Sequence, residues 1–164
     1  MQSDPHETKG TPMKLLHAID IRSDTASDEV VEAVQWATTL GATLDLAFVD
    51  DYAYSAHRIR NRLIREQLVA QWGGVQQSHR GELVRLVETL PEAVRGQPRY
   101  LQGRPAPALL GLEGDYDLMI VSTRGHRGLT RAFLGSVAER LVRESGIPVL
   151  VLRRGEVTDG DADS

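Results

Sequence analysis

The chain has 164 residues, a formal net charge of −4 and no cysteine, which suits one domain with a single core and excludes disulfides, thiolate metal sites and cysteine nucleophiles. Apolar residues make up 41% and charged residues 26%, an average globular composition, and no apolar run approaches a bilayer span. With a polar N-terminus that lacks a signal-peptide apolar region, the expected location is cytoplasmic, with no membrane association.

The cations are nearly all arginine, Lys9 and Lys14 being the lysines, and the net negative charge argues against a nucleic-acid partner. His6, His17, His57, His79 and His126 show no metal-ligand spacing, so no structural metal is expected. Residues 1–12 are polar, with Pro5, Gly10 and Pro12 and no periodicity, and read as a flexible tail. Residues 13–154 read as the single domain and 155–164 as an acidic flexible tail.

The first strand is Lys14 to Asp20, an apolar run ending in a carboxylate and followed by the turn-rich Arg22-Ser23-Asp24. Val30, Ala33, Val34, Ala37 and Leu40 recur at helical spacing after Asp28 and Glu29, with Gly41 as C-cap. Thr43 to Val49 is a second strand, apolar on both faces as in a parallel sheet. From about Ala56 to Leu90 runs an arginine-rich helical stretch in which Ile59, Leu63, Leu68, Val69 and Trp72 alternate with charge, interrupted at Gly73-Gly74 and Gly81. Arg58, Arg60, Arg62 and Arg65 read better as a solvated face than as an anion-binding patch.

Arg99 to Gln102 is a weak third strand, followed by Gly103 and a short helix opening at Pro105 or Pro107. Asp117 to Ser122 is a strong fourth strand. A glycine-bearing loop, Thr123 to Leu134, leads through Gly135-Ser136 into a helix from Val137 to Glu144, and Pro148 to Leu152 is a fifth strand. The alternation of strands and helices predicts an α/β class, a doubly wound parallel sheet with helices on both faces. Ligands of such sheets bind beyond the carboxyl ends of the strands where the strand order reverses, which directs attention to the loops starting at Asp20 and Ser122.

The loop from Ser122 to Ser136 has what an anion site needs. Gly125 and Gly128 permit close backbone approach, and Arg124, Arg127 and Arg131 supply cationic donors. Gly135-Ser136 opens a helix whose first amides carry positive potential. The Ser136 hydroxyl can cap that helix or donate to a phosphate oxygen.

This stretch resembles the signature of the universal stress protein family, whose nucleotide-binding members show glycine, two residues, glycine, nine residues, then glycine followed by serine or threonine. Gly125, the nine residues His126 to Leu134, and Gly135-Ser136 match, whereas Ser122 stands where the first glycine would be. The likeness extends from Met13 to Arg153 through Leu15 to Asp20, Ala47 to Asp50, Gly103 with Pro105, and Ser136 to Leu152. It implies a Rossmann-like, adenine nucleotide alpha hydrolase-like sheet of five strands in the order 3-2-1-4-5.

The resemblance further implies that ATP or AMP is bound, with any magnesium brought by the phosphates. Adenine is expected at Ala18, Ile19 and Asp20 and against Phe48. Ribose and phosphates are expected along Val121, Ser122, Arg124, Gly125 and Arg127 and at Gly135, Ser136 and Val137, with Gly103 closing the turn after strand three. On the residues alone, Asp20 reads equally as a turn cap and Phe48 as a core aromatic. The implied function is a nucleotide-responsive sensor, homodimeric through the last strand and open to a regulatory protein partner. The alternative is an interaction module of the same fold that works without nucleotide.

Other activities fit less well. A P-loop enzyme needs lysine after its glycine loop, and a receiver domain would carry a lysine late in the chain, but there is none after Lys14. A dinucleotide fingerprint would occupy Asp20-Ile21-Arg22-Ser23, and an esterase needs a Gly-x-Ser-x-Gly elbow that is absent. No residue stands out as the base for ATP hydrolysis, so a catalyst is not expected beyond slow turnover.

Overall fold

A computed structural model describes residues 11–123 and 134–153. Five strands, β1 (Lys14–Ala18), β2 (Thr43–Asp50), β3 (Arg95–Gln102), β4 (Leu118–Ser122) and β5 (Val149–Leu152), form one sheet in the order β3-β2-β1-β4-β5. Every adjacent pair is parallel. The chain winds outward in both directions from β1, so the order reverses between β1 and β4.

Helices α1 (Ala26–Leu40) and α3 (Arg62–Glu88) cover one face, and α4 (Pro105–Leu110) and α5 (Ser136–Glu144) the other. Alternate strand residues serve the two cores, as a pleated strand requires. Leu15, Leu44, Leu46, Phe48 and Ile120 pack with Val30, Ala33, Ala37, Leu83 and Val87 on the first side. Leu16, Ala47, Met119 and Val121 pack with Ala106, Leu109, Ala138 and Leu141 on the second. This two-sided burial explains the near-continuous apolar runs of β1, β2 and β4.

Local chemistry sets the element ends. Asp28 and Glu29 sit in the first turn of α1, and Gly41 closes it at φ 60°, a left-handed conformation that glycine adopts without penalty. Pro105 starts α4, where its missing amide costs nothing.

The arginine-rich stretch differs from its sequence reading. A short helix, α2 (Tyr52–Ala56), comes first, and α3 then runs unbroken through Gly73, Gly74 and Gly81 for 27 residues. The side chain of Asn61 accepts from the amides of Leu63 and Ile64 at 3.0 and 3.3 Å and starts the helix, and interior glycine raises its energy without stopping it. The apolar residues Leu63 and Val69 are 72% and 50% exposed, so they form no core stripe. Burial in α3 begins at Leu83.

Strand β3 starts four residues earlier than its apolar content indicates. Arg95 to Pro98 pair with β2 because Asp45, buried beneath them, accepts from the Gln97 amide, Arg99 and the Tyr116 hydroxyl. Pro98 is tolerated because β3 is an edge strand.

Candidate functional site

A cavity of about 710 Å³ opens at the carboxyl ends of β1, β2 and β4, where the strand order reverses. Its wall brings together Ala18, Ile19 and Asp20 after β1, Phe48 on β2, Val121 and Ser122 on β4, and Gly135, Ser136 and Val137 at the start of α5. Gly103 does not line it. That glycine ends β3 at φ 114° and donates its amide to the Asp50 carbonyl at 3.1 Å, which makes it a turn residue. Arg124, Gly125 and Arg127 lie outside the described residues.

At the β1 end, Asp20 is gripped by Arg22. The Arg22 Nε and Nη2 donate to its two carboxylate oxygens at 2.8 and 3.2 Å, and the Arg22 amide donates to Oδ1 at 3.1 Å. The remaining arm of the guanidinium, Nη1, reaches Asp51 Oδ1 at 3.1 Å. Hydrogen bonding to Asp20, opposed by partial burial and assisted by Asp51, raises the Arg22 guanidinium above even its ordinary high range. The cation also lies 5.3 Å from the centroid of Phe48.

The Phe48 ring itself is 1% exposed and packed edge-on against His79 at 5.3 Å and tilted against Tyr100 at 6.0 Å. It therefore serves the α3-side core while its residue contributes to the cavity wall.

At the opposite end, Gly135 occupies the N-cap position of α5 and Ser136 is the first helical residue. The N-cap glycine has no side chain to offer, and among the described residues none is recorded capping this helix, so its leading amides face the mouth of the cavity as acceptor-seeking donors. Ser122 lines the wall, and its hydroxyl, shielded from solvent, has no hydrogen-bond partner among the described residues. A buried hydroxyl without a partner is costly unless something else supplies one.

Sequence reasoning missed a third part of the wall: Arg22, Ser23, Thr25 and Glu29 near α1, Asp51 after β2, and Pro105 and Leu109 of α4. Ser23 and Thr25 share a hydrogen bond of 2.8 Å, and Thr25 donates to Glu29 at 3.1 Å. The Ser-Asp-Thr run before a helix was the available signal, but it reads equally as ordinary capping. Among the described residues, no group of three or more histidines and carboxylates could hold a metal ion, and no helix is long and apolar enough to cross a membrane.

Residues 6–153 match the model of the universal stress protein family. A universal stress protein of Thermus aquaticus is 40% identical over 67 residues, covering 37% of this chain and 49% of the relative. The chain spans about half the length of that relative. A universal stress protein solved in complex with cAMP superposes with a TM-score of 0.58 at 21% identity, covering 89% of this chain and 100% of that one. The universal stress protein from Archaeoglobus fulgidus in complex with dAMP gives 0.54 at 16% identity, covering 85% and 96%. Likeness at these identities concerns the fold, whereas the family match runs through both ends of the cavity: the chain belongs to the universal stress protein family.

Proposed function

We propose that the cavity binds an adenine nucleotide, ATP or AMP, and that the protein acts as a nucleotide-responsive sensor. The carrying observation is that one wall holds both the α5 N-terminus, whose N-cap is a glycine, and Ser122, whose hydroxyl has no partner among the described residues. Both ask for an oxygen-rich ligand, and phosphate oxygens meet both needs. Adenine then lies toward Ala18, Ile19, Asp20 and the Phe48 wall. Ribose and phosphates run past Val121, Ser122, Arg124, Gly125 and Arg127 to Gly135, Ser136 and Val137, and magnesium arrives with the phosphates. The complexes of two fold relatives with cAMP and dAMP support the ligand class.

The reading assigns binding, with ATP turnover at most slow. Nucleotide acts by differential affinity for two states of the protein or of its dimer. The dimer is assigned to β5, a four-residue strand whose Val149, Leu150 and Val151 are half-buried and whose outer backbone pairs with no other strand among the described residues. A monomer mass in dilute light scattering would refute that assignment.

The test is isothermal titration of nucleotide-stripped protein with ATP and magnesium and with AMP, repeated on Gly135→Val. Saturable heat that is lost in the variant is the expected result. No heat and no thermal shift at millimolar ATP would overturn the nucleotide reading and leave the interaction module.

A further inference from the structure

We infer that the segment from Arg58 through Trp72 is a docking surface for an acidic protein segment with apolar anchors. None of these residues lines the nucleotide cavity, so the inference holds whether or not nucleotide binds.

The helix over residues 62–78, about 25 Å at 1.5 Å per residue, contains no fully buried residue and is only half-buried along Arg65, Leu68, Trp72, Val75 and Gln76. Its recorded ring contact is Trp72 with Tyr52 of α2, at 6.3 Å between centroids. Most helical stability in a protein comes from packing of one face, and Gly73 and Gly74, with open space where a Cβ would sit, weaken this helix further. A partner would supply the packing that the sheet does not.

Arg58, Arg60 and Arg65 have no acidic partner among the described residues, and Arg62 has only the exposed Glu66, at 2.7 Å. This is a cationic projection on a chain of net charge −4. A second copy of the same projection would meet it with like charge, so an acidic partner is favoured over self-association.

The spread of the segment's apolar side chains fits a protein partner and not a membrane or a nucleic acid. Leu63, Ile64 and Val69 are 72%, 47% and 50% exposed. A helix turns about 100° per residue, so these three point to different sides. A lipid surface requires one apolar face and a polyanion requires none. A protein segment can wrap the helix and use apolar and cationic positions together.

The probe is a labelled 20-residue peptide of glutamate and leucine, with leucine at helical spacing, titrated into the full chain by fluorescence anisotropy. Comparators are the lysine-for-glutamate peptide, a 20-nucleotide poly-uridylate and vesicles of phosphatidylcholine with phosphatidylserine. Saturable binding of the acidic peptide is expected, weakened about tenfold in Arg58→Glu/Arg60→Glu/Arg65→Glu. An independent weakening of about fivefold is expected in Leu63→Ser/Ile64→Ser. Arg58, Arg60, Leu63 and Ile64 are exposed and Arg65 is half-buried without a recorded acidic partner among the described residues, so the melting temperatures should stay close to wild type. Failure of the acidic peptide to bind would overturn the inference, as would unchanged affinity in Leu63→Ser/Ile64→Ser. Tighter binding of RNA or vesicles, or a dimer mass abolished by the arginine substitutions, would replace the protein segment with a different occupant.

Discussion

Arg22 holds Asp20 by two nitrogens, at 2.8 and 3.2 Å, two residues along the chain from it. Because the same guanidinium also reaches Asp51, it ties the loop after β1 to the start of α2 and places a fixed cation in the cavity wall. The carboxylates are thereby partly neutralised in a site proposed for a polyanion.

Replacing Arg22 with glutamine should separate these two roles. The ion pairs are 41% exposed on the arginine side and 35% and 32% on the aspartates, so their loss should lower stability by at most about 1 kcal/mol. Arg22 stands at the adenine end, so its charge acts on the phosphates only at longer range, and removing it should weaken ATP by at most about 1 kcal/mol, or about fivefold, at low salt. AMP should lose less because it carries less charge. Titrations of both nucleotides at two ionic strengths would decide this, and equal losses for ATP and AMP would count against an electrostatic role.

Ser122→Ala makes opposite predictions for the free and bound protein. The hydroxyl has no partner among the described residues, so its removal should leave the melting temperature unchanged or slightly higher. If the hydroxyl donates to the ligand, ATP affinity should fall by about 2- to 12-fold, the equivalent of one hydrogen bond of about 0.5–1.5 kcal/mol. A variant that binds as tightly as wild type would make Ser122 a passive replacement for glycine.

The sheet was legible because strands buried on both faces leave continuous apolar runs, as at Leu44 to Val49. The start of β3 was not, since Arg95, Gln97 and Arg99 are polar residues held by Asp45, a carboxylate distant in sequence. The cavity ends at Asp20 and Gly135 could be placed from strand ends and glycine spacing. Arg22 could not, because its role depends on Asp51, which reaches it only after β2 folds alongside β1. The continuity of α3 was hidden for another reason: glycine lowers helix propensity without forbidding a helix.

Gly73 and Gly74 therefore offer a test of local stability. Nothing lies within 4 Å of a Cβ added at either position, so alanine at each should stabilise the helix by about 1 kcal/mol. Because the segment is packed on the sheet only from its C-terminal half, the gain should appear as amide exchange about fivefold slower per substitution across residues 62–72. Gly41→Ala should act in the opposite sense and destabilise the whole protein by about 1 kcal/mol, since its φ of 60° disfavours a Cβ. Faster exchange in the Gly73 and Gly74 variants would show that those glycines fit a close approach instead.

Acid should destabilise the protein in two separate limbs. His17 lies fully buried between the sheet and α1, with Nδ1 3.2 Å from the Ile120 carbonyl. Burial pushes its imidazole below the ordinary range, and the Ile120 carbonyl and Glu29 only partly oppose this. The unfolded chain then takes up a proton that the native state refuses. His17's contribution is complete above about pH 6.5 and falls below it, by up to about 1.4 kcal/mol per pH unit. Asp50 sets the second limb. Burial pushes its carboxyl up, but Tyr100, His79 and the Tyr52 amide together hold it below the usual carboxylate range. Its contribution is present above an unfolded value of about 4 and is lost as pH falls through the lower native value. Urea midpoints between pH 3 and 8 would resolve both. His17→Leu should flatten the limb that sets in below about pH 6.5 and leave the lower one. Asp50→Asn should flatten the lower limb and cost about 2 kcal/mol at neutral pH, because three donors lose their anion. A slope that persists unchanged in His17→Leu would assign the upper limb to another group.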